Sequence, residues 1–154
     1  MKLFSSHGPW LGGLAAAFFL LVFTGSAAHA KDMKLEAQLI WGTNDEKPSD
    51  PDLKPVDPKV EKKLQISPFK WKHYFLVKRD KFSVAKDASE KVAMSADCEI
   101  KVRNLGDDTV EVTLYGKGKS VGTIKQGLPK DELLVMGGNA ENLTAWFVVL
   151  RQVE

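Results

Sequence analysis

Residues 98–125 read CEIKVRNLGDDTVEVTLYGKGKSVGTIK. Cys98, Ile100 and Val102 alternate with Glu99, Lys101 and Arg103, and Val110, Val112 and Leu114 alternate with Glu111, Thr113 and Tyr115. A period of two with one apolar face is the pattern of a half-buried strand. The residues between these runs, Asn104-Leu-Gly-Asp-Asp and Gly116-Lys-Gly-Lys, are of the types that tolerate tight reversals. The stretch therefore predicts consecutive antiparallel strands, the last returning over Ser120–Lys125.

Working outward, Val92 and Met94 begin the series on one side. On the other, Leu133–Met136 and Ala145–Leu150 are apolar on both faces, which predicts central strands covered on both sides. Within the last run Ala145, Phe147 and Val149 share one face. Thr144, Trp146 and Val148 share the other, which is expected to lie under a short helix. The intervening 137–142 (GGNAEN) reads as a turn, and Asn142-Leu-Thr144 forms a glycosylation sequon. Near the start, Leu35, Ala37, Leu39 and Trp41 alternate with Lys34, Glu36 and Gln38, predicting an N-terminal strand with a polar outer side.

Between Gly42 and Asp57 the composition turns acidic and proline-rich, the signature of an extended linker or loop. Asp57-Pro58 then reads as an N-cap with proline in the first helical turn, and Val60 and Leu64 give one short helix ending before Ser67-Pro68. No other sustained helical period occurs in 31–154. The expected fold is all-β: a small antiparallel sandwich, immunoglobulin-like, or a barrel, with one short helix. Its organisation is an N-terminal strand at 31–41, the linker at 42–57 and a body at 58–154, all in one domain.

The first thirty residues carry a different signal. Lys2 gives a short positive region, Leu11–Phe23 is almost wholly apolar, and Ala28 and Ala30 supply the small residues of a cleavage site. A secretory signal peptide cleaved near Ala30 is the expectation, hence a secreted or periplasmic protein with no membrane span after cleavage. Export constrains chemistry. Of three histidines, His7 and His29 fall in the leader, leaving His73. Cys98 is the single cysteine, so no internal disulfide can form. Its place on the inward face predicts a buried core thiol.

A zinc site needs three or four histidine or cysteine ligands, or a mix with carboxylates, and residues 31–154 hold one of each. The acids of the linker and of the Asp107-Asp108 turn match no twelve-residue calcium loop. Cys98 with His73 is the one pair suited to nucleophilic catalysis, and both fall on inward faces, where a thiol is inert. There is no serine elbow, phosphate loop or HExxH helix. The charges nearly cancel, with 22 Lys and Arg against 20 Asp and Glu, so no basic excess suits nucleic acid. No catalytic residue, cofactor, metal or small-molecule substrate is expected.

One surface stands out. In Phe69–Arg79 (FKWKHYFLVKR), alternation places Phe69, Trp71, His73, Phe75 and Val77 inward, and Lys70, Lys72, Tyr74, Leu76 and Lys78 outward, with Arg79 next. Lys70, Lys72, Tyr74, Lys78 and Arg79 are therefore the candidate binding residues, suited to a partner protein or an anionic envelope polymer. The plainer reading is a solubilising outer face, or an edge whose lysines discourage aggregation. The expected function is an exported, non-catalytic binding or structural module of the cell envelope or extracellular space. A small inhibitor or accessory subunit docking through 42–57 or 137–142 is the alternative, and a carboxylate-dependent hydrolase a further one.

Overall fold

The computed structural model describes residues 31–48, 50–66, 69–140 and 143–154. The expected leader, and Asn142 of the sequon, lie outside the described residues. Among the described residues nine strands and one helix follow in order: β1 Met33–Thr43, β2 Lys54–Pro55, α1 Pro58–Leu64, β3 His73–Val84, β4 Ser89–Ala93, β5 Cys98–Gly106, β6 Thr109–Gly116, β7 Lys119–Gly127, β8 Leu134–Asn139 and β9 Ala145–Gln152. They form two antiparallel sheets, one ordered β2-β3-β1-β9-β8 and the other β4-β5-β6-β7. The expected antiparallel sandwich is what the chain builds.

The four-stranded sheet is a meander in which each strand bonds its sequence neighbour. Its reversals are tight: Asp107 and Asp108 both have positive φ, as do Lys117 and Gly118, the geometry that matches the strand twist of two-residue hairpins. In the five-stranded sheet β1 lies between β3 and the C-terminal β9, so the ends of the described chain share a sheet. Asn104, buried on β5, joins the two sheets where the chain leaves the end of β3 for the second sheet: its Nδ2 donates to the Val84 carbonyl at 2.9 Å.

Two apolar layers result. The larger lies between the sheets and contains Leu35, Ala37, Leu39, Val148 and Leu150 against Met94, Cys98, Ile100, Val102, Val110, Val112 and Leu114. The smaller lies on the other side of β1 and β9, where Ile40, Tyr74, Phe147 and Val149 pack with Val60 and Leu64 of α1. The helix starts as expected, with Asp57 Oδ1 accepting from the Lys59 amide at 2.8 Å and Pro58 in its first turn. The sequence 56–64 thus exists in this form because Val60 and Leu64, one helical turn apart, complete a layer that the sheet leaves open.

Three expectations are corrected. The helix covers the Phe147 face of β9, not the Trp146 face, which turns instead toward the second sheet. Strand β8 is at the sheet edge rather than central, and it extends through Gly137, Gly138 and Asn139, which were expected in a turn. The second half of the linker is tied to the sheet: Lys54 and Pro55 pair with Leu76 and Phe75, and Val56 is buried.

The aromatic strand is corrected as well. Strand β3 begins only at His73, and Phe69 and Trp71 precede it, packing on Phe147 at ring-centroid distances of 5.0 and 5.6 Å. Leu39 of β1 pairs with Lys78 and Ile40 with Leu76, so Val77 has no opposite number. One extra residue in a strand reverses the facing of everything beyond it. Val77, expected inward, is 45% exposed.

Candidate functional site

The bulge at Val77 divides the predicted basic row. Before it, Lys70 and Lys72 are exposed in the segment leading to β3, where the Lys72 amide donates to Asn44 Oδ1. Tyr74 is not among exposed lysines at all. It is buried, and its hydroxyl donates to the Leu64 carbonyl at 2.9 Å, fastening β3 to the helix end. Burial raises the Tyr74 phenol above its ordinary value, and the Glu61 charge acts in the same direction. Beyond the bulge, Lys78 turns to the inner side, its Nζ donating to the Ala93 carbonyl of the opposite sheet at 2.6 Å. Arg79 turns to the outer side, toward Glu36. The five residues do not form one stripe.

Two other arrangements do bring chemistry together, back to back on the five-stranded sheet. On its inner side, at one end of the sandwich, a cavity of about 460 Å³ opens between the sheets. Leu39 and Trp146 form one wall, Cys98 and Gly116 lie across from them, and Ser95, Asp97 and Lys117 line the rest. The register explains the cavity. Trp41 pairs with Phe75 on one side and Trp146 on the other, so three aromatic residues cross neighbouring strands in one row. The opposite sheet ends near this level, at Cys98 paired with Gly116. Trp41 and Trp146 are consequently only half-buried.

The far lip of the cavity is held in place by backbone hydrogen bonds. Both Met94 and Ser95 amides donate to the Cys98 carbonyl, and the Lys117 amide donates to the Asp97 carbonyl at 2.7 Å. The β4–β5 loop and the β6–β7 turn are thereby joined. The expected burial of Cys98 holds, and burial raises its thiol above the ordinary value. One carboxylate, that of Asp97, lines the cavity.

On the outer side of the sheet, Glu36 is 2% exposed and meets three cations. Arg151 places Nη2 at 2.8 Å and Nε at 3.0 Å from Glu36 Oε1, and Gln38 Nε2 donates to the same oxygen at 2.7 Å. Arg79 and Lys81 stand farther off, at 3.7 and 3.9 Å. Gln38 Oε1 is buried and accepts no hydrogen bond. The polar side predicted for β1 is thus real, but of its members only Lys34 is solvated, Glu36 and Gln38 being buried.

Among the described residues no three His, Cys, Asp or Glu side chains gather as they would around a metal ion, and no helix is long and apolar enough to cross a membrane. Comparison with protein families, with curated proteins and with solved structures gives no match to this chain. Sequence reasoning missed Asp97, Lys117 and Arg151. Trp41 and Trp146 were legible as aromatic strand residues, but their alignment in one row depends on which strands pair.

Proposed function

We propose that this protein is an exported, non-catalytic binding module of the cell envelope or extracellular space, which takes its ligand in the cavity at the Trp146 end of the sandwich. The observation that carries this reading is the cavity itself. Its volume of about 460 Å³ lies in the range of about 300–1,000 Å³ usual for small-molecule sites. Its wall is apolar and aromatic, while Ser95, Asp97 and Lys117 supply the few polar groups that fix an orientation. An indole offers a flat apolar surface with an N–H at its edge, so Trp146 suits a ring or the end of an apolar chain.

The arrangement supports binding rather than turnover. A lone carboxylate at the rim has no second acid or histidine in the cavity to divide acid and base roles with it. The thiol of Cys98 is buried and its ionisation opposed.

The test is an NMR titration of the protein with phenol, indole, cyclohexanol and methyl glucoside. At least one should shift the Trp146 indole N–H together with the Asp97 and Lys117 amides, and Trp146→Ala should abolish the shifts while keeping a dispersed spectrum. A panel that leaves all three signals unmoved sinks the reading.

A further inference from the structure

The outer side of the five-stranded sheet is divided in two. Before the bulge, on the Tyr74 side, it is apolar and roofed by α1; the remainder carries three polar rows set by strand register. Ser83 pairs with Lys34; Lys81, Glu36 and Arg151 lie abreast; Arg79, Gln38 and Val149 lie abreast. Lys34 is neutralised by Glu154. The other cations share one carboxylate: among the described residues Arg79, Lys81 and Arg151 pair with Glu36 alone, and three positive charges meet one negative.

The three do not share it equally. Every hydrogen bond to Glu36 goes to Oε1 and comes from Arg151 or Gln38. Arg79 and Lys81 approach to 3.7 and 3.9 Å, drawn by charge but beyond hydrogen-bonding distance. Arg79 faces Oε1, which Arg151 and Gln38 already fill, and Lys81 stands off Oε2 without bonding it. Both are open to solvent, with side chains 42% and 69% exposed, whereas Arg151 is 25% exposed and fixed in place. Beneath Arg79 in the register is Gln38, whose buried Oε1 is an acceptor short of a donor. Arg151 therefore has a structural task, and Arg79 and Lys81 do not.

We infer that Arg79 and Lys81, held beside the Glu36–Arg151 pair, form a docking surface for an acidic polysaccharide whose sugar carboxylates complete the charge balance. Charge complementarity carries the assignment, since two cations two residues apart on β3 project on one side and lack an anion of their own. A carboxylate is the anion this cluster already accommodates, and guanidinium donors match its geometry. A lipid bilayer fits less well, because it calls for apolar side chains that enter beside the cations. The same-side neighbours in the register are Lys34, Gln38, Ser83 and Val149, of which Val149 is buried; Val153, in the same hollow as Lys81, is half-buried and offers little apolar surface to insert. This surface is independent of the cavity, which opens on the opposite side of the sheet.

The test is binding of the full chain to polygalacturonate, with dextran, polyphosphate and phosphatidylglycerol vesicles as comparisons, at two salt concentrations. The expected result is binding to polygalacturonate that weakens with salt and falls at least tenfold in Arg79→Gln/Lys81→Gln. A Lys70→Gln/Lys72→Gln protein, with the same charge loss elsewhere, should keep wild-type affinity. Unfolding curves show whether each variant is folded. Should Arg79→Gln/Lys81→Gln fail to fold, Lys81→Gln alone, at the most exposed of the three cations, must reproduce a weaker loss. No binding to polygalacturonate overturns the inference, as does equal loss in both double variants. Preference for the vesicles or for polyphosphate would also overturn it, in favour of a phosphate ligand.

Discussion

Arg151 and Glu36 sit directly opposite one another on β9 and β1, and both donors of the guanidinium edge, Nε and Nη2, converge on the single oxygen Oε1. Such a pair at the centre of a sheet is costly to break from one side, because the carboxylate left behind is 2% exposed. Replacing Arg151 with Met should destabilise the protein by about 2–3 kcal/mol in urea unfolding, below the usual 3–5 for a buried pair because Arg79 and Lys81 remain nearby. Glu36→Gln should cost less than Arg151→Met, since the cations it leaves unpaired reach solvent. Equal or reversed costs would show that Glu36 owes its place to something other than Arg151.

Gly137 supports a second, sharper expectation. A Cβ built there would lie 2.2 Å from the Trp146 carbonyl oxygen and 2.8 Å from the Phe147 ring, so β8 cannot keep its pairing with β9. Its neighbour Gly138 has nothing within 4 Å of the same position. Gly137→Ala should therefore cost about 1–3 kcal/mol through overpacking, and Gly138→Ala should leave stability unchanged or slightly raised. Thermal melts of the two single variants make the comparison. A Gly138→Ala protein that melts as low as Gly137→Ala would contradict the close approach.

The same strands show what a sequence can and cannot reveal. The strands from Ser89 to Gly127 were legible because each pairs with its neighbour in the chain, so alternation and turn residues mark the elements, though not the register shifts at Asn104/Gly106 and Leu114/Tyr115. The bulge at Val77 was not. It exists only in relation to Leu39 and Ile40 on β1, some forty residues away, and without it Lys78 and Tyr74 seem to share a side. The burial of Glu36 and Gln38 was hidden for a related reason. Their alternation with Leu35, Ala37 and Leu39 reads as a solvated side, and only the placement of β1 between β3 and β9 sets long cationic side chains around them. Trp146 could be assigned a side from its spacing, but what faced that side required knowing that the opposite sheet stops at Gly116.

Cys98 provides a chemical probe of the cavity wall. The thiol is 7% exposed, and desolvation raises its pKa above the ordinary value, so little thiolate forms near neutrality. Alkylation with iodoacetamide at pH 8 should be at least tenfold slower in the native protein than in urea. The native rate should still be climbing at a pH where the unfolded thiol has levelled off. Because folding favours the protonated thiol, its contribution to stability is present below the unfolded value of about 9 and is lost as the pH rises past it. Rapid native labelling at pH 8 would mean that the cavity wall opens readily.

Tyr74 gives the fold a second alkaline sensitivity, and this one can be removed by a single atom. Its hydroxyl donates to the Leu64 carbonyl at the end of α1, and only the protonated phenol can do so. Burial, chiefly, lifts the pKa of the phenol above the ordinary 10.0; a backbone hydrogen bond at Trp71 opposes it and the Glu61 charge adds to it. A raised folded value means that the folded state holds its proton more tightly than the unfolded chain does. The stabilisation is fully present below about pH 10 and declines as the pH rises through the folded value. Tyr74→Phe keeps the ring against Phe147, at 6.1 Å between centroids, and deletes only the donor. It should cost about 1 kcal/mol at pH 7, the net worth of one hydrogen bond with its acceptor left unpaired. Above pH 10 the variant should lose stability more slowly than the wild type, so that the two urea midpoints converge. A gap that stays constant from pH 7 to 11 would place the alkaline sensitivity on Cys98 or elsewhere, and no gap at pH 7 would leave the Tyr74 hydroxyl with no part in holding α1 to β3.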